Sequence, residues 1–331
     1  PVWEEAILNL DPDVILVSLS ATVSNVEEFG GWLSTVRGRT DIILTEHRPI
    51  PLSQFMMVGR QIIPLFQDRA TRGKAADGSL SPAINRAVVA AAAKAEESGK
   101  RRGPKRSAVA LHLGAANMLP AIYFIFSRVG CDAAVKQLLT DRVDFTTPAQ
   151  RSEILKTIDE GVEGLTQEDL NVLGFRQWRR AVSCGFAAHH AGMLPAFRHI
   201  VEDLFSRGLL KVCFATETLA LGINMPARSV VLEKLIKFNG EAHVDLTPGQ
   251  YTQLTGRAGR RGIDTKGNAV VLWAQGIDPH AVADLASTRT YPLDSTFRPG
   301  YNMAVNLINT KGLTESHRLL QRSFAQYQAD G

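Results

Sequence analysis

Apolar residues follow two rhythms along this chain. Short runs without polar alternation occur at VILVSL (14–19), AIYFIF (121–126), GFAA (185–188), LKVCFA (210–215), SVVLE (229–233) and NAVVLW (268–273). Runs of this length predict strands buried on both faces of a sheet. TDIIL (40–44) and QFMMV (54–58) predict two more. Between them, apolar positions recur at helical spacing over 128–141, 148–160, 167–183 and 195–207. Ser24 with Glu27 three residues later predicts a capped helix start. The alternation predicts an α/β fold built on a doubly wound parallel sheet. In such a sheet ligands are expected at the carboxyl ends of the strands. After residue 276 the strand signal stops, and helices are predicted at 301–310 and 314–328.

From about 67 to 106 both rhythms dissolve, apart from an Ala-rich helix predicted over 84–98. This stretch reads as a linker or insertion. It also changes the meaning of the charge. The chain carries a net +4, yet residues 60–106 hold eleven Lys and Arg against four Asp and Glu. The basic character therefore sits in one segment, and the remainder is slightly acidic. The run GKRRGPKR ending at 106 is a solvated linker or an RNA contact. High pI alone does not mark the folded parts as nucleic-acid binders.

A length of 331 residues allows two or three domains. The ordinary apolar and charged content is that of a globular protein. No apolar run approaches the roughly 18 residues that span a bilayer. The chain opens on Pro1 without a basic-then-apolar leader, so the expectation is a cytoplasmic piece of something longer. Cys131, Cys184 and Cys213 have no paired spacing, which argues against disulfides and zinc.

Candidate chemistry concentrates in a few loops. QLTGRAGRRGID (253–264) interleaves Arg257, Arg260 and Arg261 with Gly256, Gly259 and Gly262. Thr247, Pro248 and Gln250 predict a capped helix start upstream. Continued helically, it sets Gln253, Arg257 and then Arg260 or Arg261 near one face. Guanidinium forks suit phosphate oxygens. The alternatives are a Gly-terminated helix with arginines against its dipole and a loose Arg-Gly nucleic-acid binder. TETLALGINMPA (216–227) leaves a strand end at Thr216, as a phosphate loop or an ordinary capped connection. SLSATV (18–23) reads by composition as a small-residue turn. In IFSR (125–128), Ser127 and Arg128 are phosphate-contact candidates. In AAHHAGM (187–193), adjacent His189 and His190 point apart, with no third ligand at metal spacing.

Taken in order, SLSATV, AIYFIFSR, AAHHAGMLPAF, FATETLALGINMPA and QLTGRAGRRGID resemble motifs III, IV, IVa, V and VI of superfamily 2 helicases. The wording of HHAGMLP, ETLALGINMPAR and GRAGRRGID is similar to the superkiller-type DExH-box branch. STFRPGYNMAVNLI (295–308) and LLQRSFAQYQAD (319–330) resemble its sequence after motif VI.

The resemblance implies a motor of two RecA-like domains with ATP between them and nucleic acid, RNA or DNA, across both. It places the end of the first motor domain at 1–66 and a linker at 67–106. A complete second motor domain follows at 107–290, and a helical region begins at 291–331. It assigns Arg260, Arg257 and Gln253 to the ATP phosphates, with Arg260 as arginine finger. Gly222, Asn224 and Glu217 lie by the nucleotide. Thr216, Ser127, Arg128 and the His190–Gly192 turn lie on the nucleic-acid backbone. Ser20, Ala21 and Thr22 couple nucleotide state to closure. The segment 232–246 matches a duplex-splitting hairpin. RNA-degradation machinery is the partner the branch implies, and no membrane is expected.

Neither G-x-x-x-x-G-K-[ST] nor a DExH box occurs. These elements hold ATP and Mg2+, and in the family they lie upstream. The resemblance therefore implies half of an ATP site and no metal ligands in this chain. The competing readings are a non-catalytic nucleic-acid-binding module and a Rossmann-type enzyme. The latter lacks a strand feeding G-x-G-x-x-G.

Overall fold

The computed structural model describes all residues except 1, 21–22, 46–47, 68–71, 75–79, 100, 173, 221–224, 239–240, 289–291 and 331. For 2, 72–74, 80–81, 167, 171–172 and 220 it describes the backbone alone. The chain forms two compact units, 1–47 with 289–331, and 48–288.

The larger unit is the expected doubly wound α/β sheet. Its strands are β1 (Leu52–Val58), β2 (Gln61–Pro64), β5 (Ala121–Phe124), β6 (Phe186–His189), β7 (Val212–Ala215), β8 (Ser229–Leu232) and β11 (Gly267–Leu272). They lie in the order β2-β1-β11-β8-β5-β7-β6. All neighbours are parallel except the edge hairpin β1–β2. Two antiparallel ribbons stand apart from it, β3 (Arg72–Lys74) with β4 (Leu80–Pro82), and β9 (Ile236–Phe238) with β10 (His243–Asp245). The second ribbon falls where the family hairpin was expected.

Successive strand residues serve opposite faces, as the pleat requires. Ile122 and Phe124 of β5 join one core, and Ala121 and Tyr123 join the other. Cys213 and Ala215 oppose Val212 and Phe214 on β7 in the same way. The first face is covered by α3 (Arg86–Glu97), α6 (Pro148–Gly161), α9 (Pro195–Ser206), α10 (Pro248–Thr255) and α11 (Pro279–Ser287). The second is covered by α4 (Arg106–Ala115) and α5 (Arg128–Thr140), while α8 (Phe175–Ser183) gives Phe175, Trp178 and Val182 to the first core and Ala181 to the second. The helix expected over 167–183 is instead α7 (Gln167–Val172) and α8, parted at Gly174 with φ 66°.

The stretch 67–106 is not featureless. Val88, Ala92 and Ala95 of α3 are buried against the sheet. Arg106, read as part of a basic linker, makes a two-pronged pair with Glu233 at 2.7 and 2.8 Å. Residues 48–66, read with the first domain, supply β1 and β2 to this sheet.

The smaller unit contains α1 (Val2–Asn9), α2 (Val26–Arg37), α12 (Tyr301–Gln321, broken at Gly312) and α13 (Phe324–Asp330). Trp3, Phe29, Trp32 and Phe324 interlock with ring centroids 5.3–6.3 Å apart. The indole N–H of Trp32 donates to the Arg322 carbonyl at 2.8 Å. Buried Glu4 accepts from the Phe324 N–H at 3.0 Å and from the Ser295 hydroxyl. Asn25, not Ser24, precedes α2, and its amide donates to Glu28.

Two predicted strands are absent from this unit. Residues 14–19 and 40–44 form no strand, and Ile15, Leu19 and Ile43 are 90%, 93% and 92% exposed. A strand needs neighbours to take its N–H and C=O groups. Here the apolar core is a helical aromatic cluster, which offers none.

Candidate functional site

The capped helix read from Thr247 and Gln250 is present as α10, with both capping-box bonds formed. It ends at Thr255, so Arg257 and Arg260 do not continue its face. Arg257 and Ala258 bond back to Leu254 and Thr255, and the chain then turns at Gly259, φ 94°. The turn is stitched to the segment leading into β8. Gly259 N–H donates to the Ala227 carbonyl at 2.7 Å, and Ala227 N–H donates to the Arg257 carbonyl at 2.9 Å. Arg48 secures it from a third side, donating to the carbonyls of Ala258 and Ile50 at 2.8 Å each.

A β-carbon on Gly259 would stand 2.5 Å from Ile50 Cγ2. Gly259→Ala is therefore expected to cost about 2–4 kcal/mol, from positive φ and overpacking together. Chemical denaturation checks this, and adding Ile50→Ala should recover the overpacking share alone.

Arg260 does not project alone. Its Nε and Nη2 donate to the two oxygens of Asp264 at 2.8 and 2.9 Å, and its backbone N–H donates to Oδ2 at 3.0 Å. Arg228 Nε donates to Asp264 Oδ1 at 2.9 Å and is itself anchored on Asn117. The Asp264 side chain is 2% exposed. The Arg260 hydrogen bond, followed by those of the Arg260 backbone and Arg228, holds its carboxyl well below the usual carboxylate range, against the effect of burial. Burial lowers the Lys211 ammonium pKa, and the Arg260 charge lowers it further. This part of the molecule is electropositive.

It is also not where the sheet rule pointed. Arg228 and Lys211 immediately precede β8 and β7, and the Gly259 turn abuts Gly267 at the start of β11. The arginine cluster thus lies at the amino edge of the parallel strands.

The carboxyl edge holds the other set. Ser127 caps α5, its hydroxyl accepting from Gly130 N–H at 3.1 Å. Arg128 is exposed, close to Gly192, and has no acceptor among the described residues. His190 is buried, with Nε2 on Asp132 at 3.1 Å, so the accessible part of its turn is Ala191 and Gly192. Thr216 follows β7, hydroxyl to hydroxyl with Thr218 at 3.0 Å. Since β5, β7 and β6 are neighbours, the structure brings these groups to one edge.

Glu217 carries both its oxygens to Lys237 Nζ of β9, at 2.6 and 2.8 Å, tying the ribbon to the strand end. Gln253 is exposed on α10, and Arg257 is half-buried, which lowers its pKa. Ser20 is exposed in the smaller unit. Ala21, Thr22, Gly222 and Asn224 lie outside the described residues.

Sequence reasoning missed Asp264, Arg228 and Arg48. Asp264 is the one acidic residue in the arginine stretch 253–264, and that lone carboxylate among cations was the available signal. Burial pushes the Cys131 thiol to about 12 and raises Cys213. Among the described residues no group of three or more His, Cys, Asp or Glu could hold a metal. None of the described helices is long and apolar enough to cross a membrane.

Residues 160–262 match the helicase conserved C-terminal domain. The chain is 55% identical over 346 residues to a protein named probable helicase HelY of Mycobacterium tuberculosis, covering 100% of this chain and 38% of that protein. It is 35% identical over 344 residues to human superkiller complex protein 2, covering 98% and 27%. It is 32% identical over 336 residues to human exosome RNA helicase MTR4, covering 99% and 32%. The chain belongs to the superkiller-type DExH-box branch of superfamily 2 helicases and spans well under half the length of these relatives.

Proposed function

We propose that the 48–288 unit is the second motor domain of an ATP-dependent helicase acting on RNA. Arg260, with Arg257 and Gln253, meets the ATP phosphates. Ser127, Arg128, Thr216 and the His190–Gly192 turn meet the nucleic-acid backbone. Gly222 and Asn224 by the nucleotide, and Ser20 to Thr22 as the coupling segment, belong to this reading by family resemblance alone. So does Mg2+, whose ligands would come from outside this chain.

One observation carries the reading: two anion-suited groups sit at opposite edges of one sheet. A passive nucleic-acid binder needs one such edge; a motor needs one for the strand and one for ATP. The names of the relatives favour RNA as substrate and RNA-degradation machinery as partner. With no P-loop or DExH box in its sequence, the chain by itself is proposed to leave ATP unhydrolysed.

The test is the affinity of the full-length helicase for a fluorescent single-stranded RNA, with ADP and with a non-hydrolysable ATP analogue. A motor's affinity changes several-fold between the two states. Equal affinities would return the chain to the passive-binder reading, and tighter binding of the matching DNA would overturn RNA as substrate.

A further inference from the structure

A guanidinium has five N–H donors in a rigid plane, arranged as two usable forks. One fork is the side formed by Nε and Nη2, and the other is the end formed by Nη1 and Nη2. Asp264 takes the side fork of Arg260. Among the described residues nothing accepts from Nη1 of Arg260. A carboxylate that had taken the end fork would compete with phosphate; one on the side fork fixes the plane and leaves the end fork for another anion.

Asp264 is itself fixed. Its Oδ2 also accepts the Arg260 backbone N–H, and its Oδ1 also accepts Arg228 Nε. Arg228 reaches Asn117 through Nη1, at 3.0 Å to the carbonyl and 3.1 Å to the side-chain oxygen. The plane of Arg260 is thus referenced to β8 and to the segment leading into β5. Without the carboxylate, two guanidiniums would face each other and repel, and Arg260 would lose its orientation.

We propose that Asp264, held by Arg228, is a positioning residue that presents the end fork of Arg260 to the phosphates of ATP. This rests on the reading of Arg260 as the arginine that meets phosphate. Asp264 touches no substrate and acts through Arg260 alone.

The experiment is a double-mutant cycle on ATP turnover in the full-length helicase with saturating RNA, using Arg260→Ala, Asp264→Asn and the pair. Loss of a supporting contact of this kind is worth about 10–100-fold. Asp264→Asn is expected to lower kcat by about that factor, with KM for ATP within about threefold because oriented charge matters most in the transition state. In the Arg260→Ala background the same substitution should change the residual rate less than twofold.

An equal loss in both backgrounds would overturn the proposal and leave Asp264 a structural residue. Wild-type turnover in Arg260→Ala would instead remove the finger reading on which it rests. Should Asp264→Asn not fold, Asp264→Glu keeps the charge and moves the carboxylate by one methylene. It too is expected to lower kcat at least several-fold, and unchanged kcat in that variant would overturn the positioning role.

Discussion

Arg260→Ala in the full-length helicase is expected to lower RNA-stimulated ATP turnover by about 10³–10⁵-fold, or roughly 4–7 kcal/mol of barrier. The measurement is steady-state phosphate release. An arginine lying only against a helix dipole would contribute about 0.3–1 kcal/mol, which cannot produce such a loss. The structure adds a stability cost that the sequence did not suggest, because Arg260 neutralises a carboxylate that is 2% exposed. Truncating one partner of a buried charged bond costs about 1–3 kcal/mol. Arg228 remains bonded to Asp264, so the low end is expected. A loss of only a few-fold in turnover, accompanied by a lower melting temperature, would make Arg260 a structural residue.

The second large effect falls in the smaller unit. Trp32→Ala should destabilise it by about 3–5 kcal/mol. Trp32 is 1% exposed, and its ring meets three other aromatics. The substitution also frees the Arg322 carbonyl, the acceptor of its indole N–H. Trp32→Phe keeps most of the packing and loses that donor, so about 1–2 kcal/mol is expected. Denaturation followed by far-UV circular dichroism separates the two. Equal losses would mean that the hydrogen bond, rather than the packing, ties the amino-terminal helices to the carboxyl-terminal ones.

The parallel sheet was legible because its strands are buried on both faces, and a run such as VCFA carries that signature within itself. The capping box of Thr247 and Gln250 was legible for the same reason, being local. What failed was non-local. VILVSL has the composition of a central strand, but composition does not supply the neighbours that complete one. Arg106 reads as one cation in a basic run, yet its partner Glu233 is 127 residues away. Arg260 and Asp264 stand four apart outside any helix, where spacing alone predicts no contact. Helical spacing of Gln253, Arg257 and Arg260 ran past a helix that stops at Thr255. The rule that ligands sit at the carboxyl edge leads to Ser127, Arg128 and Thr216 and away from the arginine cluster, which lies at the other end of the same strands.

That separation bears on how force is transmitted. The strands between the two edges have four to six residues, about 13–20 Å at the usual rise, and are packed on both faces. Interiors of this density yield little under load. Under the proposed function, a displacement imposed on Arg260 by a phosphate would be delivered to Ser127 and Arg128 as rotation of one stiff body. In that case the stroke length follows from lever geometry: a few degrees of tilt at one edge become an ångström or so of travel at the other. No loop within the sheet has to change its fold for the strand to move.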